Sequence, residues 1–226
     1  GQEGNISFTI PITDKFNVKT FNDKNLKLGV IATLESLTPP QGLDINSKVT
    51  TTSSATIKLN ADLAVEISGF FNDSKTTISN CGSLPLKVGQ KTCYTIHMKL
   101  KNYLNDVKDI AITTDLPYYA TYTNKYTASY SNPNFTFDTF SKKLIWKLDN
   151  LPANSGVITK PYELIFQVEV APTMSEANQS IQIINQTSVS AIDSFTQNKI
   201  TKSYRELMSN NIYDATLNAG YGRVQE

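Results

Sequence analysis

The sequence predicts an all-β protein, an antiparallel immunoglobulin-like β-sandwich with about seven strands in its second domain. Apolar and polar residues alternate strictly over long runs. These runs recur at short, regular spacing between turn signals. Strand-favouring residues are also abundant, with Tyr and Phe numbering 11 and 10.

Each element follows from that alternation. Ile6, Phe8, Ile10 and Ile12 form a first run, and Leu26, Leu28, Val30, Ala32 and Leu34 a second. Pro39-Pro40-Gln41-Gly42 and the run Thr50-Thr51-Thr52-Ser53-Ser54 read as loop within 36–54. Ala55, Ile57, Leu59, Ala61, Leu63, Val65 and Ile67 then occupy alternate positions, predicting one long half-buried strand over 55–69. A strand of that length suits an antiparallel sheet with one wet face. Leu84-Pro85-Leu86-Lys87-Val88-Gly89-Gln90 reads as an edge and turn. Strands follow at 92–101, 107–116, 118–130, 135–140, 143–149, 161–171 and 181–193. In 92–101 the inward set is Tyr94, Ile96, Met98 and Leu100; in 143–149 it is Leu144, Trp146 and Leu148. Tyr204-Arg205-Glu206-Leu207-Met208 reads as one helical turn leading into an irregular tail.

Asn72-Asp73-Ser74-Lys75 is the predicted boundary. It divides the chain into a small β-rich domain at 1–72, a sandwich at 73–203 and a tail at 204–226. The edge of the 55–69 strand needs cover, so the first domain is expected to pack on the second through a continuous apolar contact.

Composition narrows the function. The chain is 39% hydrophobic and 18% charged, which fits a folded domain. A net charge of +1 removes the electrostatic case for nucleic acid. A single His excludes metal cages and triads built on several histidines, and no phosphate loop, GxSxG or HExxH motif occurs. No cofactor, no metal and no catalytic residue is expected, and the chain is read as not an enzyme.

Gly82-Ser83-Leu84-Pro85-Leu86-Lys87-Val88-Gly89-Gln90-Lys91-Thr92, then Tyr94-Thr95-Ile96-His97, Asn105-Asp106-Val107 and Leu116-Pro117 form a connected pattern. Leu144-Ile145-Trp146-Lys147-Leu148-Asp149-Asn150-Leu151 with Gly156, Phe166-Gln167-Val168 and Asp193-Ser194-Phe195-Thr196 extend it. Together they resemble the conserved-repeat, immunoglobulin-like domain of bacterial cell-surface proteins, above all the large surface proteins of ultrasmall, uncultured candidate-phyla bacteria. The likeness covers 75–200 well and 5–70 more loosely. It implies a C-terminal fragment of an extracellular, surface-displayed protein tethered by an N-terminal transmembrane helix. The implied partners are neighbouring domains of the same protein, other surface proteins or glycans. The implied role is a structural spacer or surface-layer component, and the alternative is an adhesin or glycan-binding module. Cys81 and Cys93 depart from the family pattern, which has small or hydroxylated residues there.

Candidate sites are few. Cys81 and Cys93 are the only cysteines, and their spacing is not that of a CxxC redox pair. If the segment doubles back through Pro85 and Gly89 they meet as a disulfide; the alternative is two free buried thiols. Tyr118, Tyr119, Tyr122, Tyr126 and Tyr130 crowd one stretch, with Phe135, Phe137 and Phe140 beyond. On an exposed face they offer flat apolar surface with hydroxyl handles for a glycan or protein; otherwise half of them point into the core. His97 falls out of phase with Tyr94, Ile96 and Met98, beside Thr95 and Lys99, and reads as a surface or hydrogen-bonded residue. Asp106 with Asp109, or Asp138 with Asp149, would serve calcium only by converging in space. A self-formed Lys–Asn crosslink would need a buried Lys, whereas Lys58 and Lys99 lie on the polar phase.

Overall fold

A computed structural model describes residues 7–9, 11, 17–36, 42, 48–213 and 220–226. The alternation at Ile6, Ile10 and Ile12 lies outside the described residues; Phe8, within them, is exposed.

Two sheets stack face to face. The first has the order β3 (Asp62–Phe70), β4 (Thr92–Tyr103), β9 (Tyr162–Val170), β6 (Ala120–Ala128). The second runs β12 (Lys199–Tyr204), β11 (Thr187–Asp193), β5 (Val107–Asp115), β8 (Lys143–Leu151), β7 (Asn134–Asp138). Every pairing within them is antiparallel. The predicted antiparallel sandwich is therefore the observed fold, and the alternation explains it. Tyr94, Ile96, Met98 and Leu100 from β4 and Leu164, Phe166, Val168 and Val170 from β9 are buried with Ile110, Ile112, Leu144, Trp146 and Val189 of the second sheet in one core. Period-2 side chains of both inner faces interdigitate to fill it.

The long strand expected over 55–69 is two strands in different places. β1 (Lys27–Glu35) and β2 (Thr50–Lys58) form a separate antiparallel ribbon, so Thr50–Ser54 is strand and not loop. β3 is a member of the first sheet, paired with β4 along its whole length. The joint is polar: the Ala61 N–H donates to Asp193 Oδ2 at 2.6 Å, and the Leu59 carbonyl accepts from Asn105 Nδ2 at 2.7 Å. These contacts pull the chain from ribbon to sandwich without breaking the apolar phase. A division at 72 would take β3 out of its sheet, so that expectation is corrected.

Among the described residues, the ribbon meets the sandwich through its root and not through a continuous apolar contact. Lys24 Nζ pairs with Asp106 Oδ2 at 2.6 Å, the Asn25 N–H donates to Asn105 Oδ1, and Asn154 Nδ2 donates to the carbonyls of Thr20 and Asp23. Beyond that root Ile31, Leu34 and Ile57 are exposed, at 73%, 61% and 52%.

Residues 205–213 and 220–226 are likewise more ordered than predicted. β13 (Leu207–Met208) pairs with β10 (Gln182–Ile184), and a 3₁₀ turn covers Ser209–Asn211. Val224 is buried, and residues 223–225 bridge to Ser180, Ala177 and Lys87. A Cβ on Gly222 would stand 2.5 Å from Asn210 Cα, so only glycine lets these two backbones touch.

Cys81 and Cys93 form a disulfide, with Cα atoms 4.8 Å apart. Gly82 follows at φ +82°, and any Cβ there would stand 2.2 Å from the Lys91 carbonyl oxygen. The link closes the loop 82–92 and pins the end of the preceding segment, whose Asp73 and Asn80 lie over the outer face of β4. By the chain-entropy model, a loop of this length constrains the unfolded chain by about 3 kcal/mol. Reduction should therefore lower stability by about that amount, read from denaturant midpoints with and without a reducing dithiol. An unchanged midpoint would show that the loop is held by its other contacts alone.

Candidate functional site

The five candidate tyrosines do not share one surface. Tyr118 is 62% exposed, its hydroxyl donating to Glu176 and its ring edge-on to Tyr119 at 5.0 Å. Tyr119 is half-buried; its hydroxyl donates to the Gln182 carbonyl and accepts from the Gln182 N–H. Burial pushes its hydroxyl pKa up to about 12. Tyr122 lies in the core against Phe135 and Phe137, and burial pushes its hydroxyl pKa up as well. Tyr126 is exposed with its edge on Phe135. Strand alternation and the closure of the sandwich edge separate the five, so adjacency in sequence does not become one patch.

Tyr130 has different surroundings. Its hydroxyl accepts from the buried Trp146 Nε1 at 2.5 Å, and its ring contacts Tyr162 at 5.2 Å with planes 44° apart. Burial raises its hydroxyl pKa, and the Trp146 bond partly offsets this. The ring pair divides two surface clefts. One, about 330 Å³, is shared with Asn132, Asn134, Lys147, Asp149 and Asn150. The other, about 340 Å³, is shared with Ser129, Thr159, Lys160 and Pro161. Tyr162 and the three asparagines carry no recognisable motif. The sequence signal that reached this place was Tyr130, at the end of the tyrosine-rich stretch.

His97 sits on the outer face of β4, as its phase requires, but it is buried. The segment after β3 closes over it. Nε2 lies 2.7 Å from Asp73 Oδ2 and Nδ1 lies 2.8 Å from Glu163 Oε1. Asp73 also accepts from Thr95 Oγ1 at 2.7 Å and from the Lys75 N–H at 3.0 Å. Beside it, Gln167 Nε2 donates to Ser79 O and Asn80 Oδ1, and Thr123 Oγ1 donates to Gln167 Oε1. Burial alone would raise the Asp73 carboxyl. The hydrogen bonds from His97, Thr95 and Lys75 outweigh it and hold the group below the ordinary carboxylate range.

A second buried carboxylate, Asp193, accepts from Ala61, Asn105, Phe195 and Thr196. Burial opposes its ionisation, and those donors again hold its pKa low. Both groups bind backbone and side chains of this fold and leave no open face for a substrate.

Among the described residues, Cys81, Cys93 and Glu169 bring ligand-type atoms within 4.8 Å of one another. The two sulfurs are joined in the disulfide, and Glu169 pairs with Lys91 at 2.8 Å. Of the acids considered for calcium, Asp106 is held by Lys24, Asp138 accepts from the Phe140 and Ser141 N–H groups, and Asp149 lines the cleft with Asn132, Asn134 and Asn150. Lys58 lies 4.8 Å from the Phe195 ring centroid and Lys99 lies 4.0 Å from Glu163. No helix among the described residues is long and apolar enough to cross a membrane.

No protein-family model matches the chain, and no curated protein is similar to it in sequence. Solved structures do resemble it. A variant of BcpA, the major pilin subunit of Bacillus cereus, is 10% identical at a TM-score of 0.42, over 76% of this chain and 52% of that one. The chain thus spans about half the length of that pilin. The full-length major pilin SpaD of Corynebacterium diphtheriae is 9% identical at 0.40, over 92% and 64%. An exo-β-N-acetylglucosaminidase of Vibrio harveyi is 9% identical at 0.32, over 62% of this chain and 17% of the enzyme.

Proposed function

We propose that the chain is a non-enzymatic, extracellular β-sandwich module of a bacterial surface protein, serving as a structural spacer or surface-layer component. In this reading its partners are neighbouring domains of the same protein, and the whole is tethered by an N-terminal transmembrane helix. One observation carries the proposal: the reactive side chains are locked into the fold. His97 is buried between two carboxylates, both cysteines form one disulfide, and Asp193 is enclosed by four donors. Catalytic groups need an accessible face toward substrate, and these groups bind the polypeptide instead. The disulfide supports the location, because such links persist in oxidising compartments outside the cytosol. The ribbon supports a role in contacts between domains, because an isolated two-stranded sheet is marginal in water and gains from a cover.

Antibodies against the folded chain should label intact, unpermeabilised cells of the source organism. Surface proteolysis of those cells should remove the label. Labelling that requires permeabilisation would overturn the extracellular reading.

A further inference from the structure

We infer that the cleft bounded by Tyr130 and Tyr162 binds a neutral carbohydrate, one or two sugar rings of a longer glycan. The site begins with a mismatch of strand lengths. β7 pairs with β8 from Asn134↔Lys147 to Asp138↔Lys143, while β8 continues to Leu151. Residues 148–151 therefore have no β7 partner on that side, and the cleft opens there.

Its wall is rigid. Trp146 is 1% exposed, and its indole N–H fixes the Tyr130 hydroxyl, whose ring in turn rests on Tyr162. An aromatic surface held by the core loses little freedom on binding. Such a face suits the C–H side of a pyranose.

The remaining groups choose the ligand. Asn132, Asn134 and Asn150 each offer amide donors and a carbonyl acceptor, the complement of hydroxyls that both give and receive. Lys147 and Asp149 contribute one charge of each sign, so nothing in the cleft selects an anion. Leu148 is the one aliphatic residue in the lining, whereas a peptide added to the β8 edge would want apolar pockets for alternate side chains. A volume of about 330 Å³ lies at the small end of ligand pockets and fits a short saccharide. The second cleft shares the same ring pair, so a linear glycan can cross from one side to the other.

The test is a titration of the isotopically labelled full chain, followed by NMR, with cellobiose, maltose, lactose and N,N′-diacetylchitobiose in turn. At least one should give saturable shifts confined to 129–134, 147–150 and 159–162. Tyr162→Ala should weaken that binding by about tenfold or more, while Tyr118→Ala, at a distant place on the surface, should leave it unchanged. Asn150→Ala, at an exposed position, provides a second lesion should Tyr162→Ala disturb folding, and it too should weaken binding. Three results would overturn the inference: no saturable shift with any of the four sugars, shifts insensitive to both cleft variants, or shifts only with an extended peptide. None of these results bears on surface labelling, so this inference and the spacer reading fail separately.

Discussion

Replacing Trp146 by alanine should lower stability by about 3–5 kcal/mol. The indole is among the largest fully buried side chains, and it sits on the interior β8 strand opposite Ile112 of β5 and Phe135 of β7. Truncation removes its apolar surface from the middle of the core and leaves a space that two flanking strands cannot close. It also leaves the half-buried Tyr130 hydroxyl without the donor at 2.5 Å. Trp146→Phe should cost less, since most of the volume remains, yet it still frees Tyr130. Equilibrium denaturation measures both variants. A loss below about 1 kcal/mol for Trp146→Ala would mean that the second sheet does not pack as described.

Asp73→Ala should be similarly damaging, at about 3–5 kcal/mol, because it removes one partner of a buried pair. His97 Nε2 and the Thr95 hydroxyl would both lose the carboxylate oxygen 2.7 Å away, under a closed segment. The same contact sets a pH dependence. Asp73 has a folded-state pKa below its unfolded value, so its contribution is complete above the unfolded value of about 4. It is lost as pH falls through the lower folded value. Asp73→Asn cannot titrate there. Between pH 7 and pH 3 the wild type should therefore lose more stability than the variant. Asp193, also held low by its donors, titrates in both proteins and cancels in the difference. Parallel pH profiles would remove Asp73 from the account of acid sensitivity.

Much of the sandwich was legible because its central strands obey one rule. In β4 and β8 the positions predicted to face inward, such as Tyr94 and Trp146, are buried. The rule failed where alternation continued through a change of layer. Ala55 and Ile57 keep the phase of Leu63 and Val65, but the first pair lies on an exposed ribbon and the second in the core. Periodicity reports which side a residue takes, not which sheet it joins. The tail was missed for a related reason: Val224 is held by single bridges to distant loops, which leave no local pattern. His97 was placed on the correct face, but its burial depends on Asp73, 24 positions earlier. The cleft was half visible. Tyr130 stood out in a tyrosine-rich run, whereas Tyr162 and the asparagines enter only through the early end of β7 and the loop before β9.

Two anchorages at opposite ends of the strands have a mechanical consequence. Residues 20–25 are fastened beside the β4–β5 turn through Asn105, Asp106 and Asn154. Residues 223–225 are fastened at the opposite end, beside Lys87 and Ala177, where β4 begins and β9 has ended. Tension between these anchorages runs parallel to the strands. The β3–β4 and β4–β9 ladders are then loaded in shear, so their rungs resist together and do not peel apart one by one. The Cys81–Cys93 link lies across this path and withholds the enclosed loop from extension until it is reduced. A molecule pulled along this axis should yield in one abrupt, high-force step, and reduction should lengthen the released chain.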